Sequence, residues 1–260
     1  MGVRLRVSSA ELNTDEVVLD GDHHHYLTRV LRVTVGTEIE LFDGDGHSRT
    51  SLITKISAES VVLHAQTNVR ATQRDWVRLI SIVPLIKGDR MDWTISKLTE
   101  LGVHAIAVVH TERTIVSIRG DRAKRRESRF ERVAQAAARQ SGRSDVPTIH
   151  PINTLQSTLV AIEAGTSLAQ GSHGSEGQLR LAFTPNNPTH SLRSLAIPPR
   201  VDSVLLLSGP EGGLSSDEIT LAQHAGFLIC GLGSFILRAE TAALAAITSI
   251  STLIGDLGAH

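Results

Sequence analysis

Two glycine-rich segments near the carboxyl terminus have the residue types and spacing that suit a small-molecule site. Gly209-Pro-Glu-Gly-Gly213 follows the apolar run Val204–Leu207, and a second segment, Leu232–Thr241, follows Phe227–Cys230. Glycines leave bare backbone that a ligand can approach closely. Because ligand sites in α/β sheets lie beyond the carboxyl ends of strands, two such loops would face each other there and offer backbone N–H and C=O groups. Alone, the first segment would indicate only a tight turn.

The elements around these loops have their own local signals. Val204–Leu207 is apolar throughout, which is typical of a strand covered on both faces. Ser215 and Glu218 have the spacing of a capping box, which predicts the start of a helix, and Gly226 suits its end. The last segment, Ala239–Ile254, is apolar or small on almost every side and predicts a buried helix. We expect a homodimer to bury it, with burial inside its own domain as the alternative.

The paired loops resemble the RsmE family, the 16S ribosomal RNA uridine-N3 methyltransferases of the SPOUT superfamily. The resemblance is carried by Gly209-Pro-Glu-Gly-Gly213 and by Leu232-Gly-x-x-Ile-Leu-Arg-x-Glu-Thr-Ala242. It implies S-adenosylmethionine as the methyl donor and 16S rRNA of the small ribosomal subunit as the substrate. It also implies an α/β methyltransferase domain with a deep trefoil knot.

The resemblance further implies catalytic roles for Arg238, Glu211 and Glu240. A cation such as Arg238 would stabilise negative charge on the uracil oxygens as N3 loses its proton. Glu211 would serve as a base or as a ribose anchor, and Glu240 would act directly or brace Arg238. A local ion pair between Arg238 and Glu240 at a helix start is the alternative. The cofactor-binding residues implied are Leu181, Ser208, Gly209, Pro210, Glu211, Gly212, Leu232, Gly233, Ser234, Ile236, Leu237, Arg238 and Thr241.

One departure from the family pattern lies inside the second loop. Ser234 and Phe235 stand where the family usually has Pro-Arg. The loop therefore keeps Gly233 and Arg238 but lacks one positive charge.

Composition narrows the classes of protein to consider. The chain has 260 residues, a formal net charge of −1 and 3% aromatic residues, so a nucleic-acid surface must be a local patch. A multi-aromatic platform for stacking bases is not expected. The single cysteine, Cys230, and the adjacent His23, His24 and His25, which would point in different directions on a helix, predict no metal site. Without a secretory segment or an apolar run of membrane length, we expect a cytoplasmic protein with no membrane partner.

Residues 1–72 are rich in short strands, which predicts a small β-barrel domain. His25-Tyr-Leu-Thr-Arg-Val-Leu-Arg32 resembles the family's PUA-like RNA-binding domain. We expect a helix from Asp22, as N-cap, to Leu31. Arg29 and Arg32 would share one face of it, either holding phosphates or simply exposed to solvent. Thr72–Trp76 is the predicted junction.

Residues 73–260 alternate strands with helices, which predicts a parallel sheet. Their most basic stretch is 122–143, where arginines at steps of three and four would form a stripe along a helix and suit a phosphate backbone. A solvated helix face is the alternative. The predicted RNA-binding residues are Arg29, Arg32, Arg113, Arg125, Arg129, Arg132, Arg139, Gln140 and Arg143.

Other functions are weighed on the same residues. A Rossmann methyltransferase needs a Gly-x-Gly turn after its first strand, whereas Gly231-Leu-Gly233 lies close to the carboxyl terminus. A P-loop NTPase is excluded because Gly-Lys-Ser/Thr does not occur. Two alternatives stay open: a non-catalytic RNA-binding or ribosome-assembly protein, and a SPOUT methyltransferase that acts on another RNA.

Overall fold

The computed structural model describes residues 2–71, 77–115, 118, 120–164, 168, 177–186, 188–198 and 200–255. They form two compact units, one of residues 1–74 with 135–146 and one of residues 75–134 with 147–260. The predicted junction Thr72–Trp76 lies outside the described residues. The division into domains 1–72 and 73–260 stays a prediction, and the segment 135–146 groups with the first unit.

The first unit is built on a six-stranded sheet with strand order β1-β3-β4-β5-β2, in which β6 pairs with β4. Its elements are β1 Val3–Arg6, α1 Ser9–Leu12, β2 Glu16–Leu19, α2 Gly21–His25, β3 Glu38–Phe42, β4 His47–Ile56, β5 Val61–Ala65 and β6 Arg70–Ala71. Leu5, Leu27, Ile39 and Leu63 are among the side chains that fill its core. Within residues 2–71 the sheet has β1 and β2 at its ends, and no ladder joins them to close the predicted barrel.

The helix of this unit differs from the prediction. It begins at Gly21 with Asp20 as N-cap, and it continues as a π-helical turn over Tyr26–Val30. The predicted N-cap, Asp22, therefore lies inside the helix. Arg32 lies beyond the helix with φ +52°, so it does not share a helix face with Arg29. The backbone turns into the left-handed region there, which local propensity disfavours for arginine.

The second unit contains a seven-stranded sheet with strand order β11-β13-β10-β12-β7-β8-β9. Its elements are β7 Arg78–Pro84, α3 Asp89–Glu100, β8 Ala105–His110, β9 Thr148–Thr154, α5 Leu155–Glu163, β10 Gln178–Phe183, β11 His190–Ser191, a 3₁₀ turn Leu192–Ser194, β12 Ser203–Ser208, α6 Ser216–His224, β13 Leu228–Gly231 and α7 Ala239–Leu253. Helix α4, Asp121–Ser141, contributes residues to both units. Every ladder of this sheet is parallel, which confirms the α/β prediction.

The order of the central strands determines where a site can form. β12 lies between β7 and β10, and each of its residues is buried. Strands β7, β8 and β9 extend to one side, whereas β10 and β13 extend to the other. The chain therefore changes direction across the sheet at β12, and ligands bind at such switch points beyond the carboxyl ends of strands.

Helix α7 is buried on one face only. Ala239, Ala243, Ile247 and Ile250 are buried, and the helix packs against α3, β7 and β12. Its other face is partly open, with Leu253 exposed. Packing within its own unit therefore buries one face of the helix. Burial of the other face in a homodimer stays a prediction.

The capping box predicted at the start of α6 is confirmed. Ser215 Oγ accepts a hydrogen bond from the Glu218 N–H at 3.3 Å, and Glu218 Oε2 accepts one from the Ser215 N–H at 2.9 Å. The other carboxylate oxygen, Oε1, accepts the N–H of Glu112 at 2.8 Å. Glu218 is only 8% exposed, so one buried carboxylate satisfies two backbone donors from separate segments.

Replacing Glu218 with Ala removes both acceptors and leaves two backbone N–H groups in a buried setting. We expect a loss of about 1–3 kcal/mol in the free energy of unfolding, measured by urea denaturation. Glu218→Gln keeps one carbonyl acceptor and should lose less. The control is Gln223→Ala, an exposed change on the same helix, which should stay within about 0.5 kcal/mol of the parent. Equal losses for the Glu218 and Gln223 variants would contradict this assignment.

Candidate functional site

The loops that follow β10, β12 and β13 border one cleft. Its volume is about 450 Å³, including the part open to solvent. The residues that line it are Phe183, Thr184, Pro185, Gly209, Pro210, Glu211, Gly213, Leu232, Gly233, Phe235, Leu237 and Ala242. The two glycine-rich segments, separated by α6 and β13 in the chain, therefore face the same space.

The predicted cofactor residues fall into two groups. Those that line the cleft are Gly209, Pro210, Glu211, Leu232, Gly233 and Leu237; those that do not are Leu181, Ser208, Gly212, Ser234, Ile236, Arg238 and Thr241. Leu181 is fully buried inside β10, and the third side of the cleft is formed instead by Phe183–Pro185. Leu181 lies two residues before Phe183, where β10 ends and its loop begins, and its role toward the cofactor stays a prediction.

Two of the glycines adopt conformations that other residues rarely adopt. Gly213 has φ +72° and Gly233 has φ +132°. A Cβ built on Gly233 would meet no atom within 4 Å, so the space beside this backbone is open. A Cβ on Gly209 would come 3.1 Å from the backbone nitrogen of Leu214, so that turn is closed tightly. Glycine is thus needed for backbone shape in both loops.

Two buried polar atoms lie on the elements that flank the cleft. Ser208 Oγ, at the end of β12, and Glu240 Oε2, in the first turn of α7, have no hydrogen-bond partner among the described residues. Buried polar atoms are normally satisfied. Neither residue is among those that line the cleft.

Arg90 joins the two carboxylates predicted to be catalytic. Its Nη1 donates to Glu211 Oε1 at 3.0 Å and lies 3.4 Å from Glu240 Oε1. The hydrogen bond to Glu211 and the negative charge of Glu240 raise the pKa of the Arg90 guanidinium, so it remains a cation. One side chain at the start of α3 therefore connects the loop after β12 to the first turn of α7.

Arg90 was missed from the sequence. A usable signal existed, because Arg90 follows the buried strand β7 by a short loop and opens a helix. It therefore occupies a strand-to-helix corner of the same kind as the two glycine-rich loops.

Arg238 is the N-cap residue of α7 and its side chain is exposed. Within the described part of the chain it has no ion pair with Glu240, whose cationic partner is Arg90. The alternative of a local Arg238–Glu240 pair is therefore not what the structure contains. Arg238 directly follows Leu237, which lines the cleft, and its side chain is open to solvent.

Arg113, predicted to bind RNA, contacts the first glycine-rich loop. Its Nη1 donates to the carbonyl oxygen of Gly212 at 2.5 Å. Its aliphatic stem lies close by, since a Cβ on Gly212 would come 3.3 Å from Arg113 Cδ. This side chain holds the loop of Gly209–Gly213 in place.

The basic face of α4 is only partly free. Arg122, Arg125 and Arg132 are exposed, and no acidic partner is found for them among the described residues. Arg129 donates to Asp92 Oδ2 at 2.6 Å and lies 3.5 Å from Asp89. The hydrogen bond to Asp92 raises the pKa of the Arg129 guanidinium. Asp89 and Asp92 of α3 thus neutralise the charge of Arg129, one of the arginines of the predicted stripe.

The carboxyl end of the predicted stripe belongs to the first unit. The Arg139 guanidinium lies 4.7 Å from the ring centre of Tyr26, a cation–π contact, and Gln140 is exposed. Arg143 lies beyond the end of α4, is 6% exposed and pairs with Asp145 at 2.6 Å. The structure therefore contradicts the inclusion of Arg143 in an exposed stripe, because Gly142, with φ +81°, ends the helical path before it.

The described residues do not support a reactive cysteine, a metal site or a membrane-spanning helix. Cys230 is a buried free thiol, and burial raises its pKa to about 11, so it is a poor nucleophile at neutral pH. Among the described residues, no group of three or more His, Cys, Asp or Glu side chains is arranged to hold a metal ion. The described helices include none with the length and apolar character needed to cross a membrane.

Comparison with known proteins identifies the chain's relatives. A family model described as an RNA methyltransferase domain matches residues 73–251, and one described as an RNA methyltransferase PUA domain matches residues 19–65. The ribosomal RNA small subunit methyltransferase E of Bacillus subtilis is 30% identical over 237 residues, 90% of this chain and 88% of its own. The chain belongs to the ribosomal RNA small subunit methyltransferase E family.

Further members of the methyltransferase E family agree with this placement. The Synechocystis sp. relative is 28% identical over 98% of this chain and 78% of its own. The crystal structure of the Neisseria gonorrhoeae enzyme, bound to S-adenosyl methionine, is 31% identical and has a TM-score of 0.80. It covers 97% of this chain and 98% of its own. The family resemblance carried by the two glycine-rich segments is thus confirmed.

Replacing Arg90 with Ala leaves the buried Glu240 carboxylate without its cation and separates the first loop from α3. We expect a fall of several degrees in the melting temperature. Adding Glu240→Gln to Arg90→Ala should recover part of the loss, because the uncompensated buried charge is then removed. Arg200→Ala breaks an ion pair with Asp202 at the opposite end of β12 and is the matched control. If the melting temperatures of the two arginine variants are equal, the pairing of Arg90 does not stabilise this site.

Proposed function

We propose that this chain transfers a methyl group from S-adenosylmethionine to N3 of a uridine in the 16S rRNA of the small ribosomal subunit. Family membership and the ligand present in the Neisseria gonorrhoeae structure support the donor and the substrate class. The observation that carries the proposal is the single cleft bordered by Gly209–Gly213 and Leu232–Leu237. These are the segments through which the chain resembles the family.

The residues present fit the donor. The space beside the backbone of Gly233 is open, and backbone N–H and C=O groups of this loop could bind the polar edge of an adenosyl group. Phe183, Leu232 and Leu237 provide apolar surface for the rest of the molecule. We assign the donor to this cleft and include Ser208, Gly212, Ser234, Ile236 and Thr241 in its surrounding shell.

S-adenosylmethionine supplies a methyl group on a sulfonium, which moves in line to N3 while the carbon–sulfur bond breaks and its electron pair stays on sulfur. The N3–H proton must leave before or during that step, and negative charge then grows on the uracil oxygens. We assign Arg238 to stabilise that charge, since its guanidinium is exposed beside the cleft. The amino end of α7, where Arg238 lies, adds a favourable helix dipole.

The carboxylates receive different roles. Glu211 lines the cleft and is held by Arg90, so it is placed to accept hydrogen bonds from ribose hydroxyls. Glu240 is buried and contacts Arg90, so it positions Arg90 and the start of α7. With this assignment, the N3 proton passes to solvent or to Glu211 during transfer.

The remaining features of the proposal concern the fold and its assembly. A deep trefoil knot is part of the proposal through the family resemblance, and the strand order with β12 between β7 and β10 is compatible with it. A homodimer is supported by the open face of α7, where Leu253 is exposed. The ribosomal substrate makes the cytoplasm the expected location.

RNA binding is assigned to basic residues of both units that are at least partly exposed. In the first unit these are Arg29, Arg32 and the half-buried Arg139, together with Gln140, and in the second Arg125 and Arg132. Arg113, Arg129 and Arg143 already hold protein groups. We therefore expect them to contribute less to the affinity for RNA than the sequence alone indicates.

Arg238→Ala tests the proposed chemistry. The variant should bind S-adenosylmethionine as the parent does in a calorimetric titration, and its methylation rate should fall by about a hundredfold, because a group that stabilises developing charge is lost. The methylated base is measured by mass spectrometry of 16S rRNA from cells lacking this gene, after incubation with the protein. Arg193→Ala removes another exposed arginine and is the control. Full activity of Arg238→Ala would remove Arg238 from the mechanism, and the absence of binding heat with the parent would favour a non-catalytic RNA-binding protein.

Arg125→Ala combined with Arg132→Ala tests the basic face of α4. The log of the affinity for RNA falls as the log of the salt concentration rises, and each lost phosphate contact should make this slope shallower by about 0.7–0.9. The slope of the double variant should therefore be shallower than that of the parent by about 1.5. Arg129→Ala is the internal comparison, because its guanidinium is already paired with Asp92, and its slope should change less. Binding to 16S rRNA is measured by filter retention at several salt concentrations. An unchanged slope in the double variant would mean that this helix face is only solvated.

A further inference from the structure

An aromatic ring stands exposed at the rim of the proposed cofactor cleft. Phe235 lines the cleft and is 84% exposed, and its neighbour Ile236 is 76% exposed. The other four phenylalanines of the chain are buried. The two neighbouring side chains together leave apolar surface in solvent at the mouth of a ligand site, which is a surface that a partner can cover.

The local charge pattern narrows the kind of partner. The loop from Leu232 to Leu237 carries no charged side chain, so it offers nothing to hold a phosphate. Arg238, the first cation after the loop, is exposed at the start of α7. A planar, neutral group that stacks on Phe235 would place its polar edge within reach of such a cation.

A nucleobase meets these requirements. To react, the acceptor base must leave its stack in the RNA and enter the cleft edge first. Extraction from the stack removes its contacts with neighbouring bases, and aromatic side chains replace such contacts in single-stranded RNA recognition. Because the ring of Phe235 is mostly in solvent while it also borders the cleft, it lies at the entrance rather than at the closed end.

We propose that Phe235 is the stacking platform for the acceptor base, with Ile236 as the apolar surface beside it. This inference rests on the proposed function and deepens it. Stacking on the ring of Phe235 replaces the stacking that the acceptor base had with a neighbouring base in the RNA. It also orients N3 of the base toward the methyl donor. Phe235 is thus a substrate-positioning residue and makes no bond in the transfer.

The test compares four substitutions at one position. Phe235→Trp and Phe235→Tyr keep an aromatic face, whereas Phe235→Leu keeps apolar bulk without one and Phe235→Ala removes both. The substrates are 30S subunits, and 16S rRNA extracted from them, from cells lacking this gene. Val160→Ala removes an exposed apolar side chain from α5 and is the control.

We expect Leu and Ala to lower kcat/KM about tenfold or more, and Trp and Tyr to stay near the parent. The Kd for S-adenosylmethionine, measured by calorimetry, should stay within about twofold in all variants because the ring contacts RNA. The mass in solution, measured by light scattering, should not change. This pattern depends on the aromatic face, so a merely structural role would not produce it.

Three results would overturn the inference. Activity of Phe235→Leu equal to the parent would exclude stacking. A parallel loss of S-adenosylmethionine affinity would place the ring on the donor, and a change in mass would place it against a second copy of the chain. A parent protein that binds S-adenosylmethionine but methylates neither substrate would overturn the proposed acceptor itself, and this outcome is visible before any variant is made.

Discussion

Burial of a parallel strand on both faces is the constraint that organises the second unit. Each residue of β12 is buried, so the side chains along the strand are enclosed by protein. A ligand can reach such strands only at their carboxyl ends, where Phe183 ends β10 and lines the cleft, and at the loops that follow. The site is therefore assembled from corners, where a strand ends and a helix begins.

Loops that contain several glycines need contacts from other elements to hold one conformation, because glycine loses more conformational freedom on folding than any other residue. Two arginines provide these contacts here. Arg113 holds the carbonyl of Gly212, and Arg90 holds Glu211 while it contacts the buried Glu240. Pre-organised loops lose less entropy when a ligand binds. The hydrogen bond of Arg113 and the ion pairs of Arg90 would thus lower the entropy cost of binding at the cleft, beyond any contribution to stability.

Local signals were sufficient for much of the fold and for the position of the site. The capping box of Ser215 and Glu218 spans three residues, and the strand-to-glycine corners are contiguous in the chain, so both can be read from the sequence. Arg90 could not be assigned in the same way, because its partners lie 121 and 150 residues away. The pairing of Arg129 with Asp92, 37 residues away, was hidden for the same reason. The end of β10 at Phe183, two residues after Leu181, was hidden as well, because the periodicity of a buried strand does not show at which residue the strand ends.

Under the proposed function, charge and aromatic surface would contribute to RNA recognition in different ways. A formal net charge of −1 rules out a broadly basic surface, and pairing with acids reduces the basic stripe of α4 further. Contacts to phosphate set affinity and weaken as salt rises, but they do not distinguish one base from another. A ring at the mouth of the cleft acts differently, since stacking is short-ranged and largely insensitive to salt. With Phe235 at a position where the family pattern usually has arginine, the proposed stacking would move part of the recognition from charge to contact at the entrance of the cleft.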